Sequence, residues 1–64
     1  MQSMARIEVQ DQFGNWKRVT KCVNTPTSIK HKLDWALKQQ LASKSKKARA
    51  VDDKTGALID MAFG

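Results

Sequence analysis

Apolar positions change their rhythm along this chain. Ala5, Ile7 and Val9 alternate with Arg6, Glu8 and Gln10. A period of two marks a strand with one face buried and one wet, so residues 4–11 are predicted to form a half-buried strand. Asp11-Gln12-Phe13-Gly14-Asn15 follows, with Gly and Asn suited to positive φ, and reads as a turn. Residues 16–23 are rich in β-branched and aromatic types and read as the return strand. Strict alternation puts Val19, Lys21 and Val23 on one face and Trp16, Arg18, Thr20 and Cys22 on the other. Neither set is cleanly apolar, which predicts a bulge or an edge position.

The period then lengthens. Thr25 suits a helix N-cap and Pro26 its first turn, where a missing N–H has no partner to lose. Ile29, Leu33, Ala36, Leu37 and Leu41 fall in one stripe at 3.6 residues per turn and predict a helix to about Ser43. Ser43-Lys44-Ser45-Lys46-Lys47 reads as a polar linker. Residues 47–52 read as a third strand, Asp53-Lys54-Thr55-Gly56 as a turn, and residues 57–63 as a fourth strand. Alternation places Ala57, Ile59, Met61 and Phe63 on one face of that last strand.

The order strand, strand, helix, strand, strand predicts an α+β fold. Two hairpins form a mainly antiparallel four-stranded sheet, with the single helix packed on one face. The other face is left to solvent, to a partner or to a second copy of the chain. Residues 1–64 read as one small domain, with residues 1–3 as a disordered extension before the first strand.

Composition sharpens this picture. At 64 residues the chain buries only roughly 60% of its unfolded surface. A core that thin supports a stability of about a few kcal/mol. Charge is the stronger signal. Ten of the twelve basic residues lie between Trp16 and Arg49, with Asp34 the one acid among them. That stretch carries nine net positive charges, whereas residues 1–15 and 50–64 are slightly acidic. Such asymmetry points to an anionic partner, nucleic acid first. Nine lysines to three arginines favour holding phosphates over reading base edges.

The candidate contact residues are Lys17, Arg18, Lys21, Lys38, Lys44, Lys46, Lys47 and Arg49, with Trp16 and Trp35 as stacking aromatics. Trp35 lies off the apolar stripe of its helix, so it stacks a base, contacts a partner, folds over the sheet edge or leans on Lys32 or Lys38. Phe13 and Trp16 form either an exposed platform or a small cluster stapling the first hairpin. The amides of Thr27 and Ser28 at the helix start suit ordinary capping better than an anion site. The chain reads as non-enzymatic. One cysteine, Cys22, and one histidine, His31, cannot assemble a four-ligand metal site, and no cofactor motif occurs. Asp52 and Asp53 read as turn formers, and Asp60 as facing away from Ile59 and Met61.

With a single cysteine no internal disulfide can form, which favours a reducing, cytoplasmic setting. No apolar run reaches bilayer-spanning length and no leader-like segment is visible. The resulting expectation is a nucleic-acid-binding module with weak sequence preference, touching DNA or RNA through the backbone. The alternative is a protein-interaction module or small regulator, of the kind found in bacteria and phages, that docks on an acidic surface. Either would be a monomer or a homodimer.

Overall fold

The alternating start of the chain and its β-branched return segment form the first hairpin of the computed structural model, which describes residues 3–38 and 47–63. Strand β1 covers Met4–Gln10 and β2 Trp16–Val23; helix α1 covers Pro26–Lys38; β3 covers Lys47–Asp52 and β4 Leu58–Phe63. The sheet order is β2-β1-β3-β4. Every pairing is antiparallel, and β1 and β3 lie at the centre. The α+β sheet-and-helix architecture expected from the periodicity is therefore the one observed. The fourth strand starts one residue later than the alternation suggests. The helix is described to Lys38, so the expected extension to Ser43, with Leu41, Lys44 and Lys46, lies outside the described residues.

Both hairpins turn on an aspartate and a left-handed glycine. Asp11 Oδ1 accepts from the amides of Phe13 (2.8 Å) and Asn15 (2.9 Å), and Gly14 sits at φ 86°. Asp52 Oδ1 accepts from the amides of Lys54 (2.8 Å) and Thr55 (3.0 Å), and Gly56 sits at φ 77°. Glycine enters that region without a steric penalty, and a short carboxylate satisfies amides the tight turn leaves unpaired. These amides hold the Asp52 carboxyl below its ordinary pKa, the Thr55 contact contributing most and Lys54 next. A lowered carboxyl stabilises the fold above its unfolded pKa and stops doing so as pH falls through the folded one. Acid titration below the usual carboxylate range is therefore expected to destabilise wild type more than Asp52→Asn, read as the melting temperature against pH.

The helix begins as its sequence dictates. Thr25 Oγ1 accepts from the Ser28 amide at 3.3 Å and the Thr25 carbonyl from the Ile29 amide at 3.0 Å. Ile29, Leu33 and Ala36 are buried and Leu37 is half-buried, all on the stripe facing the sheet. They meet Ala5, Ile7 and Val9 of β1, Cys22 of β2, and Ala48 and Ala50 of β3. Alanines on the sheet bring the helix close but bury little apolar area each, so Ile7 is the largest fully buried side chain among the described residues. The N-terminal extension is tied in at its end: the Ser3 carbonyl accepts from the Asn24 amide at 2.9 Å. Residues 1 and 2 lie outside the described residues.

Cys22 is buried on the helix side of β2, and this burial pushes its thiol pKa up, with Lys32 opposing weakly. The thiolate is the reactive form. Cys22 is therefore expected to react with an aromatic disulfide reagent far more slowly in the folded protein than in denaturant. Equal rates would show that β2 opens readily.

Candidate nucleic-acid interface

Register decides which cations share a surface. Between Ile7↔Thr20 and Glu8↔Arg18 the pairing of β1 with β2 skips Val19. The mixed faces of the strand predict a bulge or an edge position, and β2 has both; the bulge replaces the face sets that strict alternation would give. Val19 packs onto the core beside Thr20 and Cys22, while Trp16 and Arg18 join Lys21 and Val23 on the opposite face. An unbulged strand would have put Arg18 and Lys21 on opposite sides. A second bulge, at Ile59, shifts β4 between Ala50↔Asp60 and Val51↔Leu58. Leu58, Met61 and Phe63 consequently share the open face, whereas Asp60 and Ala62 lie on the helix side. The expected set of Ala57, Ile59, Met61 and Phe63 is corrected to that extent.

The open face has a charged part and an apolar border. Arg6, Arg18, Lys21, Lys47 and Arg49 stand on β2, β1 and β3, against the carboxylates of Glu8 and Asp53. Leu58, Met61 and Phe63 line β4. Val51, between Arg6 and Leu58 in the ladder, is buried although it lies outside the helix-side core. The stems of long side chains cover apolar surface in this way while their charged heads stay wet.

Two clusters organise the charges. In the first, Glu8 Oε1 accepts from Arg49 Nε at 2.8 Å, and the Arg49 guanidinium lies 4.3 Å from the centre of the Trp16 ring. Glu8 is only 9% exposed. A carboxylate that secluded needs its cation, because desolvation penalises a charge left alone. Arg49 therefore sits over the indole, held from one side by Glu8. Arg18, directly across the ladder from Glu8, is exposed and has no ion-pair partner among the described residues.

In the second cluster, Asp53 joins Arg6 (Nε to Oδ1, 3.5 Å) and Lys21 (Nζ to Oδ2, 3.3 Å). The Arg6 contact is an ion pair without hydrogen-bond alignment, and Arg6 Nε is a buried donor with no hydrogen-bond partner. Arg6 thus carries a buried, unsatisfied Nε at the centre of the sheet. Nε itself is shielded from solvent, so a phosphate beside Lys21 would meet the partly exposed outer end of this guanidinium.

The remaining candidates lie elsewhere. Lys17 pairs across from Val9, so its register puts it towards the helix side, and its ammonium sits 3.9 Å from Asp11. Lys38 pairs with Asp34 at 3.0 Å on the exposed side of α1. Trp35 carries the Lys32 ammonium 5.5 Å from its ring centre, one of the alternatives expected for it. Lys38 and Trp35 therefore belong to the helix layer, across the sheet from Trp16 and Arg49. Lys44 and Lys46 lie outside the described residues. Phe13, 79% exposed, projects from its turn and does not staple the hairpin.

Arg6 was missing from the sequence-derived set because it precedes the basic tract. Its alternation with Ile7 already put it on the outer face of β1, and pairing that strand with Lys21 would have found it. Among the described residues no three His, Cys, Asp or Glu side chains gather in a metal-holding group, and no helix is long and apolar enough to cross a membrane. No protein-family model, curated protein or solved structure matches this chain.

Proposed function

We propose that the protein is a non-enzymatic nucleic-acid-binding module with weak sequence preference, and that the open sheet face does the binding. The observation that carries this reading is the bulge at Val19. It gathers Arg18 and Lys21 with Arg6, Lys47 and Arg49 on one surface around a half-buried Trp16. A flat basic sheet with a cation-stacked indole suits single strands. Phosphates meet the cations, and a splayed base has a π-surface or a guanidinium plane to lie on. Lysines on the rim hold phosphate without reading sequence.

Fluorescence titration with short single-stranded DNA and RNA, and with duplexes, tests the proposal. Trp16 reports binding directly in a Trp35→Phe background. Micromolar affinity at low salt is expected. With three to five phosphate contacts, affinity should fall roughly 20- to 100-fold between 50 and 200 mM salt. No saturable binding at low salt would overturn the reading. So would a stoichiometric protein partner that survives nuclease treatment and occludes the same face.

Asp53 neutralises both Arg6 and Lys21 in the free protein. Asp53→Asn should therefore tighten oligonucleotide binding severalfold and steepen its salt dependence. An unchanged slope would place the phosphates away from Arg6 and Lys21.

A further inference from the structure

The two edges of the sheet are unlike. The β2 edge carries Lys17, Arg18 and Lys21 and is bent by its bulge. Both devices discourage another strand from adding there. The β4 edge, Leu-Ile-Asp-Met-Ala-Phe, has no lysine, arginine or proline, and Asp60 is its one charge. Leu58 is 58% exposed and Phe63 66% exposed, with Ile59 exposed between them. No strand lies beyond β4 among the described residues. Its outward carbonyls and amides therefore form a template beside apolar side chains, with the Met61 amide held by Asp60 Oδ1 at 2.8 Å in the single chain.

We infer that β4 pairs antiparallel with β4 of a second copy of this chain, joining the two sheets into one. Charge selects this occupant. Among the described strands β4 alone has no cation, in a protein of net charge +6, so it is the edge on which two copies approach with least repulsion. Pairing β2 with β2 would instead set Lys17, Arg18 and Lys21 against their own copies. A two-fold axis normal to the sheet keeps both helices on one side and makes facing residues share a face. Centred on Met61, that pairing puts Asp60 opposite the partner's Ala62, so the two carboxylates do not face each other, and each Met61 amide exchanges its Asp60 Oδ1 contact for a carbonyl of the other copy. The Arg49 side chains of the two copies are then separated by three strand spacings, about 14 Å. This exceeds the screening length of about 8 Å at physiological ionic strength. The contact rests on one short strand, so the dimer is weak and concentration-dependent. Both basic faces point the same way in it, although the inference does not depend on what they bind.

Sedimentation equilibrium from low micromolar to millimolar protein tests the inference. The mass should rise from 7.2 kDa towards twice that value. The outward amides of β4 should gain hydrogen-exchange protection over the same range. Leu58→Lys combined with Phe63→Lys should hold the mass at the single-chain value while circular dichroism retains the wild-type signature. Exchange on wild type gives an answer even if the double variant unfolds. A single-chain mass at every concentration would overturn the inference. So would outward β4 amides already protected in a species of single-chain mass, since the chain's own residues would then cover that edge.

Discussion

Ile7→Ala is expected to lose about 2–5 kcal/mol of folding stability, which is most of what a domain of this size has to lose. Ile7 is fully buried at the middle of the central strand β1, between Thr20 of β2 and Ala50 of β3. Its neighbours in the core include Ala5, Ala36, Ala48 and Ala50. Alanines have no side-chain length with which to close a vacated space. The cavity should therefore persist, placing the cost at the upper end of the range. Urea unfolding followed by circular dichroism should show a large fall in midpoint, or a chain already unfolded without denaturant. Ile7→Val should cost only about 0.5–1.5 kcal/mol. A loss below about 1 kcal/mol for the alanine variant would mean that the helix settles onto the sheet and fills the gap.

Arg49→Ala is expected to weaken oligonucleotide binding tenfold or more and to destabilise the fold as well. The side chain has two roles in one position. It neutralises Glu8 and it lies over Trp16. Its removal subtracts a cation from the open face and leaves a secluded carboxylate unpaired, a loss of about 1–3 kcal/mol. The double variant Glu8→Gln with Arg49→Ala separates these effects. It should regain much of the stability, because no charge is left stranded, yet bind more weakly than Glu8→Gln alone. Arg49→Lys should keep the ion pair but lose the guanidinium over the indole. If the double variant binds as tightly as Glu8→Gln alone, Arg49 serves structure only, and the anion site lies towards Arg6 and Lys21.

The fold was legible because each element carries its own local signal. Strand β1 shows its period, α1 its stripe and Thr25-Pro26 start, and each hairpin its aspartate and glycine. The interface was legible only in part, because a run such as Trp-Lys-Arg-Val-Thr-Lys-Cys-Val fits more than one register. Its alternation is internally consistent with no bulge or with a bulge anywhere along it. Only the pairing with β1, where Ala5 meets Cys22 and Glu8 meets Arg18, fixes the skip at Val19. The same ambiguity hid the faces of β4, where apolar residues occur at both parities and the bulge at Ile59 selects between them. Charge density along the chain carried a different error. It grouped Lys38 and Trp35 with Trp16 and Arg49 by proximity in sequence, whereas the sheet lies between them.

The skipped position on β2 has a consequence for how this surface can change. Deleting Val19 would remove the unpaired residue and leave a regular ladder, with Thr20 still opposite Ile7 and Arg18 still opposite Glu8. A residue inserted beside Val19 would instead force a choice: either Trp16 and Arg18 rotate towards the helix, or the Asp11–Asn15 turn absorbs the slip. One codon gained there thus rewrites the electrostatic map of an entire side of the molecule, whereas the codon for Val19 can be lost without moving a charge, and the amino-acid composition hardly changes in either case. In a chain this small, segment length sets surface polarity as firmly as the choice of residues does.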